Sequence, residues 1–365
     1  MRLLTIDIGA GTQDVLLLDT AQRVENSVHL ILPAPTQIAA RRIGEATRAG
    51  KPLLLTGVTM GGGAVSGAVR HHIKAGLAAC ATLPAALTFH DDPEEVAAMG
   101  VKLISEDEAR RLRGAHRVEL RDLDLKAILR AVEPFTGPVA LDGVAVALLD
   151  HGEAPRGMSN RLFRFQYLGR LVAERRRLER LCYLAPDIPP SLTRMLAVAR
   201  SLSEPLPLLL MDTGPAAALG AGLDGRMARH PHRLCLNLGN MHTLGLHLKD
   251  GLILGLFEHH TGLLSGAKLR RVIDRFLTGE LSNEEVWEDG GHGCLVLEGG
   301  KERPPVVVTG PRRHLALRAG LRAYPAAPYG DMMLTGCYGL ALAWGYHRPE
   351  WAEELGRALG YRFPL

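Results

Sequence analysis

Residues 3–19, LLTIDIGAGTQDVLLLD, place one apolar run on each side of a pair of glycines. The pattern predicts a strand over Leu3–Ile8, a turn at Gly9-Ala10-Gly11-Thr12 and a second strand over Val15–Leu18, with no helix behind the glycines. Phosphate loops of the Walker type and dinucleotide fingerprints both need a glycine turn that feeds a helix N-terminus, so both are set aside. Further on, KPLLLTGVTMGGGAVSGAVRHHIKAGLAA reads as a strand to Leu55, a turn at Gly61–Gly63 and a small-residue helix. GVAVALLDHG gives another strand, which ends near Asp150 and runs into the turn-rich GEAPRGMSN. A long amphipathic helix follows, with Leu168, Leu171, Val172, Leu178 and Leu181 at helical spacing. A Pro-rich stretch then leads to a strand ending at Asp212, and the domain boundary is expected after residue 205.

The second half repeats the opening. RLCLNLGNMHTLGLHLKDGLILGLFEHHTG is again strand, glycine turn, strand. Asn237-Leu238-Gly239-Asn240 and Thr243 stand where Asp7-Ile8-Gly9-Ala10 and Thr12 stood, with the loop read as one residue longer. A self-similar unit in each half suggests a duplicated fold, with one domain over 1–205 and the other over 206–365.

Composition narrows the class. A chain of 365 residues, 47% hydrophobic and 22% charged, has enough apolar content for two cores. Its net charge of +4 comes from scattered arginines, which is no nucleic-acid footprint. The densest basic run, Arg175-Arg176-Arg177 with Arg180, reads as the solvated face of the amphipathic helix. No apolar stretch reaches the roughly 18 residues that span a bilayer, and Asp7 interrupts the position of a signal peptide's apolar core, so a cytoplasmic protein without membrane contact is expected. The five cysteines are far apart and include no C-x-x-C pair, which favours reduced, buried thiols.

Five segments, in order, resemble the superfamily of actin, heat-shock chaperones and sugar kinases. IDIGAGTQDVLLLD is similar to its first phosphate hairpin and DTGPAAALGAGLDG (212–225) to its first connecting helix. LNLGNMHTLGLHL is similar to the second phosphate hairpin, VVVTGPRRH (306–314) to the adenosine turn, and DMMLTGCYGLALAWG (331–345) to the second connecting helix. The resemblance implies an α/β fold of two duplicated actin-like ATPase (ribonuclease H-like) domains around a nucleotide cleft. The small residues of the connecting helices, among them Gly220, Gly336 and Gly339, then allow the domains to hinge. LLDHGEAPRGMSNRLFRF is also similar to a group labelled as pyruvate formate-lyase activating enzymes. The glycyl-radical activity in that label needs three closely spaced cysteines, and the sequence has none.

The resemblance implies ATP and Mg²⁺ as ligands. Gly9, Gly11 and Thr12 would hold phosphates from one side and Gly239, Asn240 and Thr243 from the other, with backbone N–H groups unobstructed by Cβ atoms. Asp7 would orient the metal through water. Asn237, where part of the family has an acid, brings no charge. Gly310 and Pro311 would form the adenosine turn, with proline restricting it. Asp150, at a strand end, is the expected catalytic base with His151 beside it, and the alternative for Asp150 is hydrogen bonding to its own turn. Asp212 is expected either to position the attacking water or to cap the helix that follows. The pairs His71-His72 and His259-His260 diverge and make poor chelates, and His292 in GHGC reads as a loop tip, so no transition-metal site is expected. The expected activity is phosphoryl transfer to an unidentified small-molecule or protein acceptor, or hydrolysis. The competing expectation is a nucleotide-dependent regulatory module with little turnover. A homodimer is left open.

Overall fold

The computed structural model describes residues 1–202 and 205–364. The chain opens on β1 (Arg2–Ile8), β2 (Thr12–Asp19) and β3 (Val28–Pro33), an antiparallel meander. Four short parallel strands follow, β4 (Leu53–Gly57), β5 (Ala79–Thr82), β6 (Val101–Ile104) and β7 (His116–Leu120). They form a separate sheet with its own small core around Ile43, Leu53, Leu55 and Val69. The chain then returns to the first sheet with β8 (Gly143–Leu148), β9 (Cys182–Leu184) and β10 (Leu208–Met211). The second half is built from β11 (Arg233–Leu238), β12 (His242–Lys249), β13 (Leu252–His260), β14 (Gly293–Val296), β15 (Val306–Thr309) and β16 (Ala323–Pro325).

The two large sheets repeat one topology. The first has the order β3-β2-β1-β8-β10-β9 and the second β14-β13-β12-β11-β15-β16. In each, a hairpin meander (β1–β3, β11–β13) continues through parallel partners, β8 and β10 in one sheet and β15 and β16 in the other. This is the duplicated actin-like, ribonuclease H-like α/β fold. Strand β8 is apolar and buried throughout, and the buried positions of β1 are apolar except Thr5, as a sheet covered on both faces requires.

The division at residue 205 is corrected by the pairing of β10. This strand lies beyond the expected boundary, yet it pairs with β8 in the first sheet. The helix Thr335–His347 also returns to the first half and packs on β1 and β8. It is buried on every side from Thr335 to Gly345, which explains its unbroken apolar character. It crosses the helix Thr213–Ala221 so closely that a Cβ on Gly339 would lie 1.9 Å from the Ala216 carbonyl oxygen.

The amphipathic helix runs over Asn160–Arg175 and is shorter than its leucine spacing predicts. Arg176 adopts a left-handed conformation at φ 59° and ends it, so Leu178 and Leu181 reach the core from the turn beyond. No helix of the described residues is long and apolar enough to cross a membrane.

Candidate functional site

A cavity of about 610 Å³ opens between the two duplicated sheets. Asp7, Gly9, Gly11, Thr12, Asp150, Asp212, Gly239, Asn240, Gly310 and Pro311 all line it. Thr243 does not. Both hairpins close by the same hydrogen bond, Gly9 N–H to the Thr12 carbonyl at 2.9 Å and Gly239 N–H to the His242 carbonyl at 3.0 Å. The second loop is therefore not longer, and His242 occupies the position of Thr12. Thr243 is paired with Leu238 in the ladder, is fully buried, and bonds its hydroxyl to that of Thr261 at 2.9 Å.

The hairpins approach each other closely. A Cβ on Gly11 would come within 2.6 Å of the Asn240 side-chain nitrogen, and one on Gly239 within 2.8 Å of the His242 carbonyl. Gly11 leaves room for the opposite hairpin, and Gly239 permits the tight turn that its N–H closes on the His242 carbonyl. Gly310, at φ +91°, lies against the end of β11, where a Cβ would meet the Leu238 carbonyl at 2.5 Å. This turn holds Pro311 at the cavity rim.

Asp7 sits at the cavity floor with Oδ1 buried and without a partner among the described residues. Burial, then Asp14 and Asp212, push its carboxyl well above the usual range. Gly336 packs directly on it, with room for no Cβ because one would stand 2.0 Å from Oδ2. A buried, unpartnered carboxylate beside a second acid fits a divalent cation, which would relieve both the desolvation and the repulsion.

Asp150 makes the backbone hydrogen bonds that the alternative reading expected of it. Its Oδ1 accepts the Gly152 N–H and its Oδ2 the Met195 N–H, each at 2.8 Å, so both oxygens are spent on backbone. Asp212 caps the helix Thr213–Ala221 through the Gly214 N–H at 3.4 Å, and its other oxygen accepts from Arg164 at 2.7 Å. Arg164 is a feature the sequence did not disclose. It lies on the helix Asn160–Arg175 at 3% exposure, forks onto both oxygens of Glu258 at 2.8 and 2.7 Å, and donates to the Asp150 carbonyl at 2.8 Å. Burial alone would raise the Glu258 carboxyl, but the guanidinium holds it well below the ordinary carboxylate range.

The reading of His292 as a loop tip is overturned. It is fully buried, directly before β14, with its backbone N–H on the Glu258 carbonyl at 2.8 Å. His151, from the loop after β8, and His242 converge on it. Their ring centroids are 5.7 and 4.9 Å from that of His292. The adjacent pairs do diverge: His259 turns to Asp289 at 3.2 Å, His260 to the Gly290 carbonyl at 2.8 Å, and His72 to Thr47 at 2.9 Å.

A family model described as "Putative pyruvate format-lyase activating enzyme (DUF1786)" matches residues 60–315, more than half of the chain. No curated protein matches the sequence. Similar solved structures include the ethanolamine utilization protein EutJ from Carboxydothermus hydrogenoformans, at 13% identity over 94% of this chain and 89% of that one, with a TM-score of 0.34. The PilM–PilN type IV pilus biogenesis complex aligns at 14% identity over 94% of this chain and 98% of that one, TM-score 0.37. A ROK hexokinase from Thermus thermophilus aligns at 13% identity over 96% of this chain and 100% of that one, TM-score 0.30. The iron–sulfur cluster that an activating enzyme would carry does not fit the cysteines. They sit on β5, β9, β11, β14 and the helix Thr335–His347, and burial pushes the Cys182 and Cys294 thiols up to about 12.

Proposed function

The chain belongs to the DUF1786 family, and from the geometry of its cleft we propose that it binds ATP with Mg²⁺ between its two halves and transfers or hydrolyses the terminal phosphoryl group. One observation carries this reading: two glycine hairpins with identical closure meet across one cavity, over the unpartnered carboxylate of Asp7. Backbone N–H groups at Gly11 and Asn240, with the Thr12 hydroxyl, receive phosphate oxygens, while Gly9 and Gly239 close the turns that present them. Asp7 holds the hydrated metal, which when bound neutralises phosphate charge. Gly310 and Pro311 border the base. Phosphoryl transfer asks mainly for positioning and charge stabilisation, and this set of groups supplies both.

A second reading is favoured by Asp150 and Asp212, whose carboxylates are already engaged. With Asn237 bringing no charge, the cleft would then close on nucleotide and signal to a partner with little turnover. Calorimetric titration with Mg-ATP, run beside a phosphate-release assay, tests both. Binding heat and a raised melting temperature are expected. Release of phosphate, or transfer to an added acceptor, supports the first reading, and binding without either supports the second. Absence of heat and of any shift at millimolar nucleotide removes both.

A further inference from the structure

We infer that His151, His242 and His292 form a binding site for one divalent first-row transition-metal ion that ties the first half of the chain to the second. One ligand atom from each of the three lies within 4.8 Å of those of the others. An independent observation points to a ligand there: His292 is fully buried, yet neither of its ring nitrogens has a hydrogen-bond partner among the described residues. Leaving two such groups unmet in the interior is costly, and a bound ion would satisfy one of them.

The local fold explains how this arrangement is held. His242 opens β12 at the hairpin position that Thr12 fills in the other half. His292 is fixed between Gly291 and Gly293, where side chains would strike Val286 and Phe165. His151 belongs to the other sheet's loop, so the site spans the cleft. His260 stands opposite His242 in the β12–β13 pair and its ring centroid is 4.8 Å from that of His292. Its Nδ1–H is given to the Gly290 carbonyl, which leaves Nε2 as a lone-pair donor beside the three.

The chemistry of the donors suits the ion. Each of the three offers an imidazole nitrogen to the others' neighbourhood, and such nitrogens bind an ion in the neutral form, so binding releases any proton they carry. Neutral imidazoles are the preferred donors of Zn²⁺ and its neighbours, and three of them leave a coordination position open to the cavity. Bonds of about 2.0 to 2.1 Å would hold the nitrogens about 3.3 Å apart, so loading draws the His151 loop inward and narrows the cleft. The uncompensated positive charge then attracts an anionic oxygen, from phosphate or carboxylate, to the open position beside the second hairpin. None of this depends on nucleotide binding.

The test uses the full chain without a histidine tag, stripped with a chelator and titrated with Zn²⁺ and with Co²⁺ as a spectroscopic probe. We expect one equivalent per chain, a visible Co²⁺ ligand-field band and a raised melting temperature. His292→Ala and His151→Ala should each weaken binding at least tenfold, while His71→Ala, on an exposed helix position, leaves it intact. His151→Ala changes a partly exposed loop, so it reports on the site even if His292→Ala folds poorly. A band absent from the wild type, or one that survives His151→Ala in a folded protein, overturns the assignment. Mg-ATP binding measured on the stripped protein separates this result from the nucleotide reading.

Discussion

Asp7 and Asp14 stand directly opposite each other in the β1–β2 pair, and each keeps a buried Oδ1 without a partner among the described residues. Opposite residues of an antiparallel pair share one face, so two like charges are held together at the cavity floor. Burial pushes Asp14 up to about 7, with the Thr12 hydroxyl opposing and Asp331 adding to the rise. The pair is a cost to the folded chain that a cation would offset.

Asp14→Asn should therefore stabilise the metal-free protein at high pH. A raised folded-state pKa means the native state holds a proton that the unfolded chain has lost. The penalty is absent below about pH 4, grows as pH rises from the unperturbed 3.8 to about 7, and is complete above that. At about 1.4 kcal/mol per unit the gain at pH 8 is on the order of 2 to 4 kcal/mol, shrinking to nothing near pH 3.5. Urea midpoints at the two pH values measure it. An equal gain at both would mean that the charge of Asp14 is not the cause.

Asp150→Asn should show itself as lost stability. An amide turns two donors toward the Gly152 or Met195 N–H in place of an acceptor, and an unmatched buried donor costs about 1 to 3 kcal/mol. Nucleotide affinity in the folded variant should change little. A variant with unchanged melting temperature and reduced turnover would show Asp150 acting as a base.

Much of this was legible in the sequence, because local signals carried it. The apolar–glycine–apolar grammar of 3–19 and its echo at 233–262 disclosed the duplicated hairpins, and Asp7 with them. Matching Thr243 to Thr12 by residue type failed because the turns align by closure, which selects His242; counting four residues from each first glycine would have found it. The histidine site was hidden because residues 151, 242 and 292 meet only through the tertiary fold. Arg164 looked like one more arginine of a solvated face, since nothing in its neighbourhood announces a partner 94 residues away. The boundary was misplaced because a strand's sheet partner is not written in the strand.

Two glycines of the helix Thr335–His347 should give separable phenotypes. A Cβ on Gly339 would strike the Ala216 carbonyl at 1.9 Å, and one on Gly220 the Thr335 carbonyl at 1.8 Å. Gly339→Ala should thus overpack the helix crossing and cost about 1 to 3 kcal/mol. In solution scattering the wild type should contract on a non-hydrolysable ATP analogue and this variant less. Gly336 packs on Asp7, so Gly336→Ala should weaken Mg²⁺-dependent binding first. Identical behaviour of the two variants would leave no distinction between hinge and metal positions.

The Arg164–Glu258 fork joins the helix Asn160–Arg175 of the first half to β13 of the second, with both side chains almost fully enclosed. Arg164→Met removes the cation and leaves the buried carboxylates of Glu258 and Asp212 without it, which costs about 3 to 5 kcal/mol at neutral pH. The wild-type pair acts in the opposite sense to Asp14. Its lowered carboxyl contributes stability above the unfolded value of 4.5, and that contribution is lost as pH falls. In the variant the unpaired Glu258 takes a proton readily, so the deficit against wild type should narrow toward pH 4. Adding Glu258→Met should recover part of the loss, since it removes one of the two carboxylates stranded by the substitution and leaves Asp212, which keeps only its cap on the Gly214 N–H. Urea unfolding of the wild type, the single and the double variant across pH 4 to 8 measures each step. A double variant no more stable than Arg164→Met at pH 7 would show that the loss does not arise from the stranded charge of Glu258.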